Sequence, residues 1–155
     1  MGQAARQTDG AGPNDFPGAP FHDPDVRAAF ERFTASARRT LLEVRGLIFS
    51  IAAETPGAGR IEEALRWGQP AYLTPETRSG STLRLGVPGP GLVAIYTHCR
   101  TSLMADFRAA WPEFAFDGNR AVHLPDDAVV PTVPITALIR AALTYHRRFS
   151  SAQNP

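Results

Sequence analysis

From Val26 to Ile51 the residues Val26, Phe30, Phe33, Ala37, Leu41, Val44, Ile48 and Ile51 step by threes and fours, which draws one apolar stripe along a helical surface. Such a stripe is stable only when packed against a second layer, so the chain must supply one. Asp23-Pro24-Asp25 is a suitable helix entry, with acids beside the first free N–H groups. Thr34 and Ser36 restart the helix, which gives two segments at 25–33 and 36–53, closed by Pro56-Gly57-Ala58-Gly59. A short helix is expected at 60–67 with Ile61, Ala64 and Leu65 inward. Gly68 would then be its left-handed closing residue, and Pro70 would block continuation.

The period then changes. Thr82–Val87 and Leu92–His98 alternate like strands around Pro88-Gly89-Pro90-Gly91, a hairpin pattern. Ser102–Trp111 returns to helix, Phe114–Phe116 and Ala121–Leu124 pair around Asp117-Gly118-Asn119, and a last helix is expected at 135–149. The order is helix, helix, hairpin, helix, hairpin, helix. It predicts the α+β class, a small antiparallel sheet packed with helices.

Residues 1–22 are rich in Gly, Ala, Pro and Gln and hold only Phe16 and Phe21 as large apolar groups. They are expected to be a disordered tail. One domain then covers 23–150, and 151–155 form a flexible end. No continuous apolar run suits a secretory signal or a membrane span, which points to a cytoplasmic protein. A net charge of +1 supplies no one-sided basic surface for nucleic acid, and no membrane partner is expected. All 16 basic residues are Arg, which excludes lysine chemistry, and the one Cys excludes an intrachain disulfide.

Glu62–Tyr72 reads E-E-A-L-R-W-G-Q-P-A-Y, and it resembles the acidic helix and W-G-x-P turn of the YdhG-like family, domain of unknown function 1801. Tyr96-Thr97-His98, the segment Ala121–Pro125 and the terminal amphipathic helix continue the similarity over about 25–148. His123 stands where that family usually has Arg. The resemblance implies a frataxin-like sandwich of helices on a small antiparallel sheet, and some relatives are described as iron chaperones. Iron delivery would call for an acidic ridge, because iron takes carboxylate oxygens readily. The long helical stretch instead carries Arg27, Arg32, Arg38, Arg39 and Arg45 against Glu31 and Glu43, which disfavours that role.

Six residues are candidates for ligand binding: Trp67, Tyr72, Arg84, Tyr96, His98 and His123. Trp67 and Tyr72 would wall a pocket, or else form a helix stop with a core aromatic behind it. The hairpin turn leaves two registers open. One pairs Val87 with Leu92 and sets His98 on the leucine face; a slip by one gathers Arg84, Tyr96 and His98 on the other face. His98 and His123, with Glu62 or Glu63 nearby, would suit zinc or another imidazole-seeking metal; no cofactor is otherwise implied. Cys99 reads as a small buried hydrophobe. No nucleophile–base constellation or cofactor motif is present, so a non-enzymatic domain binding a small anion or metal is expected. The alternative is an interaction module whose partner is a second copy or another protein.

Overall fold

A computed structural model describes residues 16–147. The greater part of the expected tail and all of the expected flexible end at 151–155 lie outside these residues. Helix α1 (Pro24–Arg32) begins under Asp23, whose side chain accepts from the Asp25 N–H at 2.8 Å. Phe33 is extended and breaks the run. Helix α2 (Ala35–Glu54) starts afresh under the Thr34 hydroxyl, which accepts from the Ala37 N–H at 3.3 Å. Their buried residues Val26, Phe30, Ala37, Leu41, Val44, Ile48 and Ile51 are the stripe read from the sequence.

The segment expected as a third helix is a hairpin instead. Strands β1 (Glu62–Arg66) and β2 (Gln69–Leu73) pair antiparallel, Arg66 opposite Gln69, with only Trp67 and Gly68 between them. Both turn residues have positive φ, 57° and 75°, the signature of a type I′ turn. In such a hairpin the closing pair exchanges both hydrogen bonds and the next pair, Leu65–Pro70, makes none, so a proline fits there. Pairing to the next strand begins only at Ala71. Gly68 is therefore a turn residue and not a helix stop.

Strands β3 (Leu83–Gly86) and β4 (Leu92–Tyr96) follow, then helix α3 (Leu103–Ala110), strands β5 (Ala115–Asp117) and β6 (Ala121–Pro125), and helix α4 (Thr132–Leu143). The added hairpin makes the sheet six-stranded and antiparallel, in the order β1-β2-β3-β4-β6-β5. The expected α+β class holds, and the expected element order gains a hairpin in place of a helix.

One face of the sheet is the floor of the core. Tyr72, Leu83, Leu85, Val93, Ile95, Val122 and Leu124 are buried there with the apolar sides of the helices. The other face carries Ala71, Gly86, Ala94 and Ala121 between the half-exposed Gln69, Arg84, Tyr96 and His123. The alternation follows the period of two.

The tail boundary expected at residue 22 moves toward the N-terminus. Phe16 and Phe21 are partly buried against the core, with Phe21 5.5 Å from the Phe30 ring. Arg45 of α2, 1% exposed, holds this segment. It donates to the Ala19 carbonyl at 2.6 Å and the Pro20 carbonyl at 3.3 Å, and its guanidinium lies 3.8 Å from the Phe21 ring centre. Its other donors grip Glu63 at 2.5 and 2.9 Å, and the Tyr72 hydroxyl donates to the same carboxylate at 2.7 Å. Burial first, and the negative charge and hydrogen bond of Glu63 next, raise the Tyr72 phenol well above the ordinary tyrosine range.

Candidate functional site

The structure divides the six residues that the sequence brought together. Tyr72 is buried on the core face, committed to Glu63, and walls no pocket. Trp67, expected as a core aromatic or a pocket wall, is 89% exposed at the hairpin tip. It left the core because a turn residue points away from both sheet faces.

Arg84 pairs with Tyr96, the second of the two registers, so both lie on the open face. The guanidinium sits 5.1 Å from the Tyr96 ring centre and donates to the Gln69 side-chain oxygen. These side chains close over Gly86, where a Cβ would meet Gln69 Nε2 at 3.0 Å and the Tyr96 ring at 3.2 Å. Within the group the guanidinium makes one hydrogen bond, to Gln69, and otherwise lies against the Tyr96 ring.

His123 pairs with Ala94, and its Nε2 is buried with no partner among the described residues. His98 lies beyond the end of β4, four residues past Ala94, on the order of 13 Å along a strand. The expected metal pair is therefore not assembled. Glu63 is held by Arg45, and among the described residues no group of three or more His, Cys, Asp or Glu could hold a metal. Cys99, expected to be buried, is an exposed free thiol.

His98 instead lines a hollow at one end of the sheet. One part of it, about 420 Å³, is walled by Gly80, Ser81 and Thr82 before β3, by His98, Arg100 and Thr101 after β4, and by Tyr145 and His146 after α4. An adjoining part, about 360 Å³, shares Gly80, Thr82 and His146 and adds Thr74, Pro75 and Arg78 from the loop after β2. The two hold two arginines, two histidines and several hydroxyls, and no Asp or Glu.

The walls are fixed from below. A Cβ on Gly80 would lie 3.0 Å from the Ala142 carbonyl oxygen and the Leu143 backbone, so only glycine lets this loop pass the end of α4. The Ser81 N–H donates to the Ala142 carbonyl at 2.8 Å, the Ser79 hydroxyl to that of Leu143 at 2.9 Å, and the His146 N–H to that of Ser79 at 2.9 Å. The Arg78 N–H donates to the Thr74 carbonyl at 2.7 Å, which holds Arg78 at φ 52°. Across the hollow, His98 Nδ1 accepts from the Arg100 N–H at 3.1 Å. Tyr145 is tied in by accepting from the Ser102 N–H at 3.0 Å.

Sequence reasoning found His98 but not Arg78, Arg100, Tyr145 or His146. No protein-family model and no curated protein matches the chain. In structure it is similar to YdhG of Bacillus subtilis, a protein of the DUF1801 family. The TM-score is 0.51 over 85% of this chain and 95% of that one, at 13% identity. At that identity the likeness is one of fold, an α+β sandwich. No helix among the described residues is long and apolar enough to cross a membrane.

Proposed function

We propose that the chain is a non-enzymatic member of the DUF1801 family that binds a small polar ligand in the hollow between the β2–β3 loop, the end of β4 and the end of α4. The family reading rests on the shared fold together with the E-E-A-L-R-W-G-Q-P-A-Y segment and the residues that follow it. One observation carries the binding reading. Arg100 and Arg78 line adjoining parts of the hollow that share Gly80, Thr82 and His146, and neither side chain has a hydrogen bond or ion pair to another described residue. Guanidinium groups held on a fixed rim without a carboxylate are ready to meet a solute.

Amide chemical shifts of the full chain, titrated with a set of small polar solutes, test this. Gly80, Ser81, Thr82 and Thr101 should move. Shifts confined to the Arg84–Tyr96 face, or none at all, would overturn the reading.

A second reading, an interaction module, is favoured by two exposed large apolar residues, Trp67 at 89% and Val87 at 41%. Sedimentation of the parent and Trp67→Ala tests it. A self-association lost in the variant would support it, and a monomeric parent would remove self-pairing.

A further inference from the structure

We infer that the hollow takes a tetrahedral oxyanion of the phosphate class, either free or as the monoester end of a larger molecule, and not a metal ion. This rests on the reading of the hollow as the ligand site. The first support is one atom. His98 Nδ1 is already an acceptor for the Arg100 N–H. On a neutral imidazole the proton then sits on Nε2, which is presented as an N–H donor. A metal would need a lone pair on that nitrogen and would have to break the Arg100 contact to obtain it.

Charge gives the second support. Arg100 lines one part of the hollow and Arg78 the adjoining part, and no carboxylate lines either. Guanidinium groups bind phosphate oxygens through paired N–H donors. A planar carboxylate offers two coplanar oxygens. A tetrahedral anion offers oxygens toward the β2–β3 loop, toward the end of β4 and toward Thr82 between them.

The end of α4 could oppose an anion, since a helix C-terminus is the negative pole. Three of its last four carbonyls are occupied, however: Ala142 accepts from Ser81, Leu143 from Ser79 and Arg140 from Thr144. Arg78 adds a third support. A bulky side chain held in the left-handed region is a strained arrangement of the kind that clusters at ligand sites. The volume of about 420 Å³ leaves room for an ester group beyond the anion itself.

Titration calorimetry on the full chain, in a buffer free of phosphate, decides the matter with inorganic phosphate, phenyl phosphate, sodium acetate and zinc chloride. Phosphate or phenyl phosphate should bind one to one and acetate at least about tenfold more weakly. Arg100→Ala and Arg78→Gly should each lose about tenfold or more, and added salt should weaken binding. His98→Gln, which keeps an N–H donor, should bind better than His98→Ala. Tighter binding of phenyl phosphate than of phosphate identifies a monoester, and the reverse identifies the free anion. Zinc binding that disappears in His98→Ala would overturn the inference. Failure of both phosphates at millimolar concentration, while another solute moves the amides of the hollow, would overturn the ligand class and leave the site standing. No response of the hollow to any solute would remove both.

Discussion

Arg45 and the pair Arg78–Arg100 carry the same side chain into opposite situations. Arg45 is 1% exposed, spends its donors on Glu63 and two carbonyls, and is flanked by the Phe21 and Phe49 rings. Arg78 and Arg100 stand exposed at the rim of a hollow and bond no other described residue through their side chains. A desolvated guanidinium must be fully paired, and pairing commits it to structure. An exposed one has no such obligation, so its donors stay available. Substitution should therefore separate the two: Arg45 controls folding and the rim arginines control binding.

The largest effect is expected at Arg45. Arg45→Ala leaves the Glu63 carboxylate, 7% exposed at its side chain, without its counter-charge and frees the segment around Phe21. Breaking one partner out of a buried pair costs about 3–5 kcal/mol. Chemical denaturation should show that loss, and Arg45→Met with Glu63→Leu should recover most of it. A single substitution that unfolds like the parent would erase the contrast.

Next in size is Tyr72→Phe, which removes one hydrogen bond to a charged acceptor, about 1.5–3 kcal/mol. It should also change the alkaline limb. The buried phenol keeps its proton at a pH where an unfolded tyrosine ionises, about 10. Above that pH the folded state binds the extra proton, so stability falls as pH rises further, and its Tyr72 contribution is complete below it. The Phe variant should lose this part of the alkaline decline. An unchanged slope would mean that the phenol is not buried beside Glu63 in solution.

The first two helices were legible because the stripe from Val26 to Ile51 is long and regular. The hairpin at 62–73 was not. Glu62-Glu63-Ala64-Leu65-Arg66 are mostly good helix formers, and five residues show too little of a period of two to outweigh them. Sheet pairing overrode propensity, and Trp67 hid a turn that Asn-Gly would have announced. Arg45 was readable in principle. It lies four residues after Leu41 and four before Phe49, on the stripe itself, where a charge implies a buried partner. The hollow was less accessible, since its walls come from three loops far apart in sequence. Only His98, at a strand end, gave a local signal; Arg78 was marked at most by the Pro75 and Gly80 around it.

Trp67 sharpens the contrast from a third position. A buried tryptophan would cost several kcal/mol on truncation, on the order of 3–5. At 89% exposure Trp67→Ala should change stability by no more than about 0.5 kcal/mol. Trp67→Asn should stabilise by about 1 kcal/mol or less, because Asn tolerates the left-handed conformation at the first turn position. A large loss in Trp67→Ala would show that the tip packs against something.

The smallest change in stability is expected at Arg78, with the largest consequence for binding. Its φ of 52° costs a non-glycine residue about 1–2 kcal/mol. Glycine removes that strain but loses roughly 0.5–1 kcal/mol through the greater freedom of its unfolded chain. The two nearly offset, so Arg78→Gly should melt at or slightly above the parent. No ion pair to another described residue is lost, because Arg78 has none. If the variant melts higher and binds phosphate about tenfold more weakly, Arg78 is a residue kept for its charge against the preference of its backbone. If it melts several degrees lower, the side chain holds the loop, and the division between structural and binding arginines fails at that residue.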